Sequence, residues 1–266
     1  AAVAAKFNMP LVGVMGDIDV ARVNQNIIKA KHYGAKLKTV PGTLKEAITD
    51  AIKTWTTNPE YAYICGSVVS SSPFPKIVAF AQSIIGREIR EQSMSQEGKI
   101  PDMIVGCVGG GSNFAGAIYE FLDEPSVTKI GVEAYETAAL TNGTPGIMQG
   151  MKTYMLQTDD GAKSLGGMSL GAGITYFSVG PLHSYLKDQG AVQYSSANDK
   201  EMLEAYKIIA QTEGICSALE PMAAAAEIIF RQAKSKPKEY IICLSLCGRG
   251  EKDLDVIQEH IGKDFE

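Results

Sequence analysis

Residues 101–123, PDMIVGCVGGGSNFAGAIYEFLD, pass from an unbroken apolar run through three consecutive glycines into small and apolar residues at helical spacing. An apolar run of this length reads as a strand buried on both faces, and such strands belong to parallel sheets covered by helices. The glycines mark the strand-to-helix turn. The theme recurs along the chain. PLVGVM (10–15), AKLKTV (35–40), EYAYICG (60–66) and TKIGVEAY (128–135) read as strands, and EYIICLSLCGRGEKD repeats strand, glycine turn and helix. Helical patterns lie between them: DVARVNQNIIKAKHYG stopped by Gly34, a helix from Thr43 through Trp55, and others at about 76–97, 113–123, 181–188, 199–212 and 219–234. Thr43-Leu44-Lys45-Glu46 has the form of a capping box. Residues 136–180 carry no clean period. The alternation predicts an α/β fold of three layers, mostly parallel sheets with helices on both faces.

A strand that ends in Gly109, Gly110, Gly111, Ser112 and Asn113 before a helix presents free backbone amides at the positive end of that helix. This arrangement suits a phosphate, and Ser112 adds a hydroxyl donor. No Lys-Ser/Thr follows, so the loop is not a P-loop, and Phe114 stands where the dinucleotide fingerprint has its last glycine. A tight turn without a ligand is the plainer alternative. Other chemistries are poorly supported. The net charge of −5 gives no basic footprint for nucleic acid, and no apolar run is long enough to span a membrane. The five cysteines, Cys65, Cys107, Cys216, Cys243 and Cys247, are odd in number and irregularly spaced, which fits reduced thiols in the cytoplasm. Cys243 and Cys247 lack a second Cys or His pair to complete a zinc site.

Several segments in order resemble the tryptophan synthase β chain, a family of fold type II that uses pyridoxal 5′-phosphate to join L-serine to indole. They are MGDIDVARVNQN (15–26), IGREIREQ, GKIPDMIVGCVGGGSN, GIMQGMKTYMLQTDDG (146–161), SVGPLHSYLKDQG (178–190), EGICSALEPMAAA (213–225) and LCGRGEKD (246–253). TYMLQTDDG and SVGPLHSYL argue against a serine or threonine dehydratase of the same fold. The resemblance implies that Gly109, Gly110, Gly111, Ser112 and Asn113 hold the cofactor phosphate. It places Glu220 near the ring face, where a carboxylate tunes the cofactor; an acid at a helix start favoured by the dipole is the bland reading. Cys247, followed by Gly248, stands where the family's serine meets the pyridine nitrogen. A thiol is neutral like a hydroxyl but a weaker hydrogen bonder. A small cysteine packed at a strand end is the compatible plain reading.

The chain departs from the family elsewhere. Gln193 replaces a gating aspartate, and Ser70, Ser71 and Ser72 replace Gly-Pro-His in a loop. The family's monovalent cation site, for Na+ or K+, implies backbone carbonyls of Gly109, Tyr194 and Ser196. The Schiff-base lysine, in a His-Lys-x-Asn motif, and the glutamate that assists indole attack precede the matched segments. Lys6-Phe7-Asn8 imitates that motif but falls at the end of a helix before a strand. AAVAAKF reads as the end of a helix with no capping residue, so the chain is expected to be a piece of a larger protein. Residues 1–75 are then the remnant of the N-terminal, mobile subdomain, and 76–266 the phosphate-binding domain. The resemblance implies a β homodimer that binds an α chain. The chain alone is expected to be inactive; a non-catalytic relative, scaffold or pseudoenzyme, is the alternative.

Overall fold

A computed structural model describes residues 1–265, with residue 23 and residues 162–164 excepted. The chain forms two compact units, Ala1–Cys65 and Gly66–Glu266.

In the first unit α1 (Ala2–Lys6) precedes β1 (Val12–Gly16), and α2 (Asp17–Arg22) and α3 (Asn24–His32) lead to β2 (Lys36–Val40) and then α4 (Leu44–Thr57). β1 and β2 pair in parallel, Gly13 opposite Leu37. α4 starts where its sequence signal stands: the Glu46 carboxylate accepts from the Thr43 N–H at 2.9 Å and from the Thr43 hydroxyl at 3.0 Å. Lys6 closes α1 and is exposed, at a helix end before a strand. EYAYICG, expected as a strand, forms none. A strand needs a partner's ladder, and the two strands of this unit pair with each other. Tyr63 stacks on Trp55 instead, with ring centroids 5.5 Å apart.

The second unit runs α5 (Phe74–Gln82), α6 (Ile84–Glu97), β3 (Met103–Cys107), α7 (Ser112–Ile118), β4 (Thr128–Ala134), α8 (Ala139–Asn142), β5 (Thr144–Met148) and β6 (Met151–Met155). It continues with α9 (Pro181–Asp188), β7 (Gln193–Ala197), α10 (Asp199–Glu213), α11 (Glu220–Ala226), β8 (Ile242–Ser245) and α12 (Leu254–Ile261). Four strands form one parallel sheet in the order β7-β4-β3-β8. Alternate side chains of β3 enter opposite cores, as the two-residue period of a strand requires. Met103, Val105 and Cys107 join Val132, Met202, Leu219 and Met222 on one face; Ile104 joins Phe114, Ile118, Val179 and Leu186 on the other. Each such side chain contributes roughly 1.5–3 kcal/mol by leaving water. The expected three-layer α/β architecture is the one observed.

Two details separate pattern from structure. The helix expected at 76–97 breaks at Ser83, whose hydroxyl bonds the Phe80 carbonyl at 2.8 Å. Within the stretch without a clean period, β5 and β6 form an antiparallel hairpin that turns at Gln149 and Gly150, both with positive φ (46° and 79°). Among the described residues no helix is long and apolar enough to cross a membrane.

Candidate functional site

The sheet order locates the site. From β3 the chain crosses to β4 and then β7, whereas β8 lies on the other side of β3. The carboxyl ends of β3 and β8 therefore flank a topological switch point, the place where open α/β sheets take their ligands. Both expected glycine turns leave the sheet there: Gly109 to Gly111 after β3, and Cys247 and Gly248 after β8.

Gly111 caps α7 in the left-handed region (φ 79°), a conformation open to glycine and costly for other residues. Its carbonyl accepts from the Ala115 N–H at 2.8 Å and faces His183 Nε2 at 2.9 Å. A carbonyl only accepts, so Nε2 carries the imidazole proton and Nδ1 accepts from the Tyr194 hydroxyl at 2.8 Å. Burial lowers the His183 pKa to about 4, against the raising effect of the Gly111 contact, and the ring is neutral. A Cβ on Gly110 would lie 2.6 Å from Ser67 Oγ, and one on Gly109 would lie 2.6 Å from the Gly173 carbonyl. The loop is thus fixed from three sides by His183, Ser67 and the 172–174 turn.

The amides of Gly109, Gly110 and Gly111 hydrogen-bond to no group among the described residues. Gly109, Gly110, Ser112 and Asn113 are partly exposed, so the loop is not packed away. Beside these donors, the buried Asn113 Oδ1 has no donor of its own. Free donors next to an orphaned acceptor fit a ligand that carries both an anionic group and a hydroxyl, as pyridoxal phosphate does.

Cys247 lies with its sulfur 3.5 Å from that of Cys107 at the end of β3. The hydrogen bond to Cys247, together with burial, pushes the Cys107 thiol well up; the same bond lowers Cys247 against its burial. Either sulfur can donate in this contact, and the two shifts favour Cys107 as the donor. Gly248 has φ 82°, and a Cβ there would lie 3.0 Å from Ala218 Cβ.

Glu220 opens α11 and is buried. Its Oε1 accepts from the Gly173 N–H and from Lys252 Nζ, both at 2.7 Å. Lys252 also bonds Asp253, which accepts from the Leu219 N–H at 2.9 Å. Burial works against the Lys252 charge, but the bonds to Asp253 and Glu220 outweigh it and its pKa rises. Glu220 is therefore tied to the glycine loop through Gly173, and its charge is matched by Lys252. Of the residues expected for a cation, Tyr194 and Ser196 sit on the edge strand β7, with β4 between it and β3. Tyr194 reaches the glycine loop by its side chain, through His183. Gln193 begins β7, exposed and opposite Ile130.

Comparison with known proteins identifies the family. The family model described as "Pyridoxal-phosphate dependent enzyme" matches residues 1–248. The tryptophan synthase β chain of Allorhizobium ampelinum is 43% identical over 98% of this chain and 67% of its own length; that of Ruegeria pomeroyi is 43% identical over 100% and 66%. This chain belongs to the tryptophan synthase β family of pyridoxal-phosphate-dependent enzymes. It spans about two thirds of the length of these curated relatives. Two solved structures share the fold at low identity. A mutant O-ureido-L-serine synthase with O-ureido-L-serine bound is 17% identical with TM-score 0.67, covering 98% of this chain and 71% of that one. A threonine deaminase from T.th. is 18% identical with TM-score 0.69, covering 93% and 72%.

Sequence alone singled out the glycine loop, Glu220 and Cys247, and the structure brings them together around the carboxyl ends of β3 and β8. Sequence did not single out His183, Ser67, Gly173, Lys252 or the contact between Cys107 and Cys247. His183 left one usable trace: it stands three residues before Leu186, on the buried side of α9. The others meet the site across long stretches of chain that no local pattern spans.

Proposed function

We propose that this chain carries the phosphate-binding part of a tryptophan synthase β-type lyase, which uses pyridoxal phosphate to join L-serine and indole into L-tryptophan. The observation that carries this reading is the set of amides at Gly109 to Gly111 that are unpaired among the described residues, beside the orphaned Asn113 Oδ1, at the switch point of a chain from this family. When bound, pyridoxal phosphate supplies the electron sink for bond changes at an amino-acid α-carbon. The residues of this chain bind and orient. The Gly109, Gly110 and Gly111 amides and the Ser112 hydroxyl take the phosphate, Asn113 Oδ1 takes a hydroxyl, and His183 holds the Gly111 carbonyl. Cys247 offers a thiol where the family has a serine, and Cys107, donating to it, leaves the Cys247 S–H free for the pyridine nitrogen. Glu220, neutralised by Lys252, lines the ring side. A Na+ or K+ ion on the carbonyls of Gly109, Tyr194 and Ser196, a β homodimer and an α chain that supplies indole belong to the same proposal.

The exchange of the family's serine for Cys247 favours a second reading, a relative that binds the cofactor without turnover. Calorimetric titration of the purified protein with pyridoxal phosphate and with inorganic phosphate tests the site. We expect the two to compete, and Gly111→Ala to weaken both at least ~10-fold, about 1.4 kcal/mol. Pyridoxal phosphate binding that phosphate does not displace would refute the reading. Turnover of L-serine and indole by the protein containing this chain separates the enzyme from the silent binder.

A further inference from the structure

We propose that Cys107 and Cys247 form an oxidisable dithiol, a reversible modification site at the carboxyl ends of β3 and β8 whose reagent is a hydroperoxide. The sheet puts them together: Gly106 pairs with Ser245, so the residues that follow leave adjacent parallel strands side by side. Their sulfurs are 3.5 Å apart and must close to the roughly 2.05 Å of an S–S bond. One partner can move and the other is fixed. Cys247 sits in a turn beyond the end of β8, its N–H on the Ser245 carbonyl at 3.2 Å, next to the left-handed Gly248. Cys107 is the last residue of β3 and is 1% exposed.

The same asymmetry assigns the roles. Cys247 is partly exposed, and the bond from Cys107 favours its thiolate, the nucleophilic form. Its sulfur attacks one oxygen of the hydroperoxide, the O–O bond breaks, and an alcohol or water leaves; Cys247 is now a sulfenic acid. Cys107 sulfur then attacks Cys247 sulfur, gives up its proton, and the sulfenic oxygen leaves as water. Two thiols have lost two electrons and two protons to the peroxide. Cys216 is the internal control, an exposed free cysteine whose thiol meets the Tyr206 hydroxyl.

On the functional reading above, on which this consequence rests, the disulfide withdraws the thiol offered to the pyridine nitrogen and so weakens cofactor binding. The dithiol itself is tested on sulfur alone. The purified protein is treated with stoichiometric hydrogen peroxide, its remaining thiols are blocked in denaturant, and a non-reducing digest is read by mass spectrometry. We expect a cross-linked peptide containing Cys107 and Cys247, lighter by two hydrogens, reversed by dithiothreitol, retained in Cys216→Ser and lost in Cys247→Ser. Recovery of both cysteines as blocked thiols after Cys216 is oxidised would overturn the proposal, as would irreversible oxidation of Cys247 without a cross-link. The wild-type digest decides the matter even if a variant fails to fold. The cofactor titration is a separate measurement, so either result can fail alone.

Discussion

The glycine loop proposed to hold phosphate depends on one carbonyl. Gly111 caps α7, and its oxygen takes both the helical bond from Ala115 and the proton of a buried imidazole. His183 is a positioning residue, fixed in one tautomer by the Gly111 carbonyl, with the Tyr194 hydroxyl donating to its other nitrogen. Removing it strands the Tyr194 hydroxyl, at a cost of about 1–3 kcal/mol, and leaves the Gly111 carbonyl with the Ala115 N–H as its one donor among the described residues. We expect His183→Phe to lower phosphate affinity roughly tenfold, while His183→Gln, which keeps an N–H donor, recovers part of that loss. Titration calorimetry with phosphate reads the difference. A merely structural histidine would lower the urea midpoint of both variants and leave the affinity of the folded fraction unchanged. Gly111→Ala acts on the same atom from the other side: its methyl group would meet His183 Nε2, at a φ of 79° that costs an L-residue about 1–2 kcal/mol.

At the scale of elements, close approach and capping carry stability. α7 lies against α5 and α6 through two glycines. A Cβ on Gly116 would strike the Gln82 carbonyl, and one on Gly86 would sit 2.8 Å from the Gly116 carbonyl. We expect Gly116→Ala to destabilise by about 1–3 kcal/mol through overpacking, read as a lower urea midpoint with an unchanged m-value. α10 begins with a reciprocal box, Asn198 Oδ1 accepting from the Glu201 N–H and Glu201 Oε2 from the Asn198 N–H, both at 3.0 Å. Asn198→Ala should cost about 1 kcal/mol in the same assay. The elements also show what a sequence makes legible. β3 and α7 could be read because continuous burial leaves an unbroken apolar run and the glycines punctuate it. β7, QYSSA, could not: an edge strand, half exposed, is free to be polar, and Ser195 bonds Glu227 of the helix behind it. The β5–β6 hairpin hid behind a Gln-Gly turn, a weaker signal than Asn-Gly. The glycine loop announced itself, whereas its support by His183 joins residues 72 apart in sequence, a pairing that only the completed sheet creates.

Across the whole molecule, two buried titratable groups act on stability in opposite directions. His183 has its pKa lowered to about 4 by burial, so the unfolded chain binds its proton first. That contribution to stability is complete above the ordinary value near 6.5 and is lost as pH falls toward 4. Glu133, on β4, is pushed up to about 7 by burial, which outweighs the donors of Leu140 N–H, Thr141 N–H and the Thr141 hydroxyl, and the nearby Lys187 charge. The folded chain holds its proton first, so this stability is complete below the ordinary value near 4.5 and is lost as pH rises toward 7. Between about 4.5 and 6.5 the two slopes, each about 1.4 kcal/mol per pH unit, cancel. The wild-type urea midpoint should be nearly flat in that window as far as these groups decide it. Glu133→Gln should expose the histidine, and stability should then fall with acid by about 1.4 kcal/mol per unit. His183→Gln should expose the glutamate, and stability should rise with acid by the same amount. Both variants lose absolute stability, so the slope between pH 4.5 and 6.5 is the quantity that decides. Parallel slopes in all three proteins would mean that neither group titrates across folding as the structure places it.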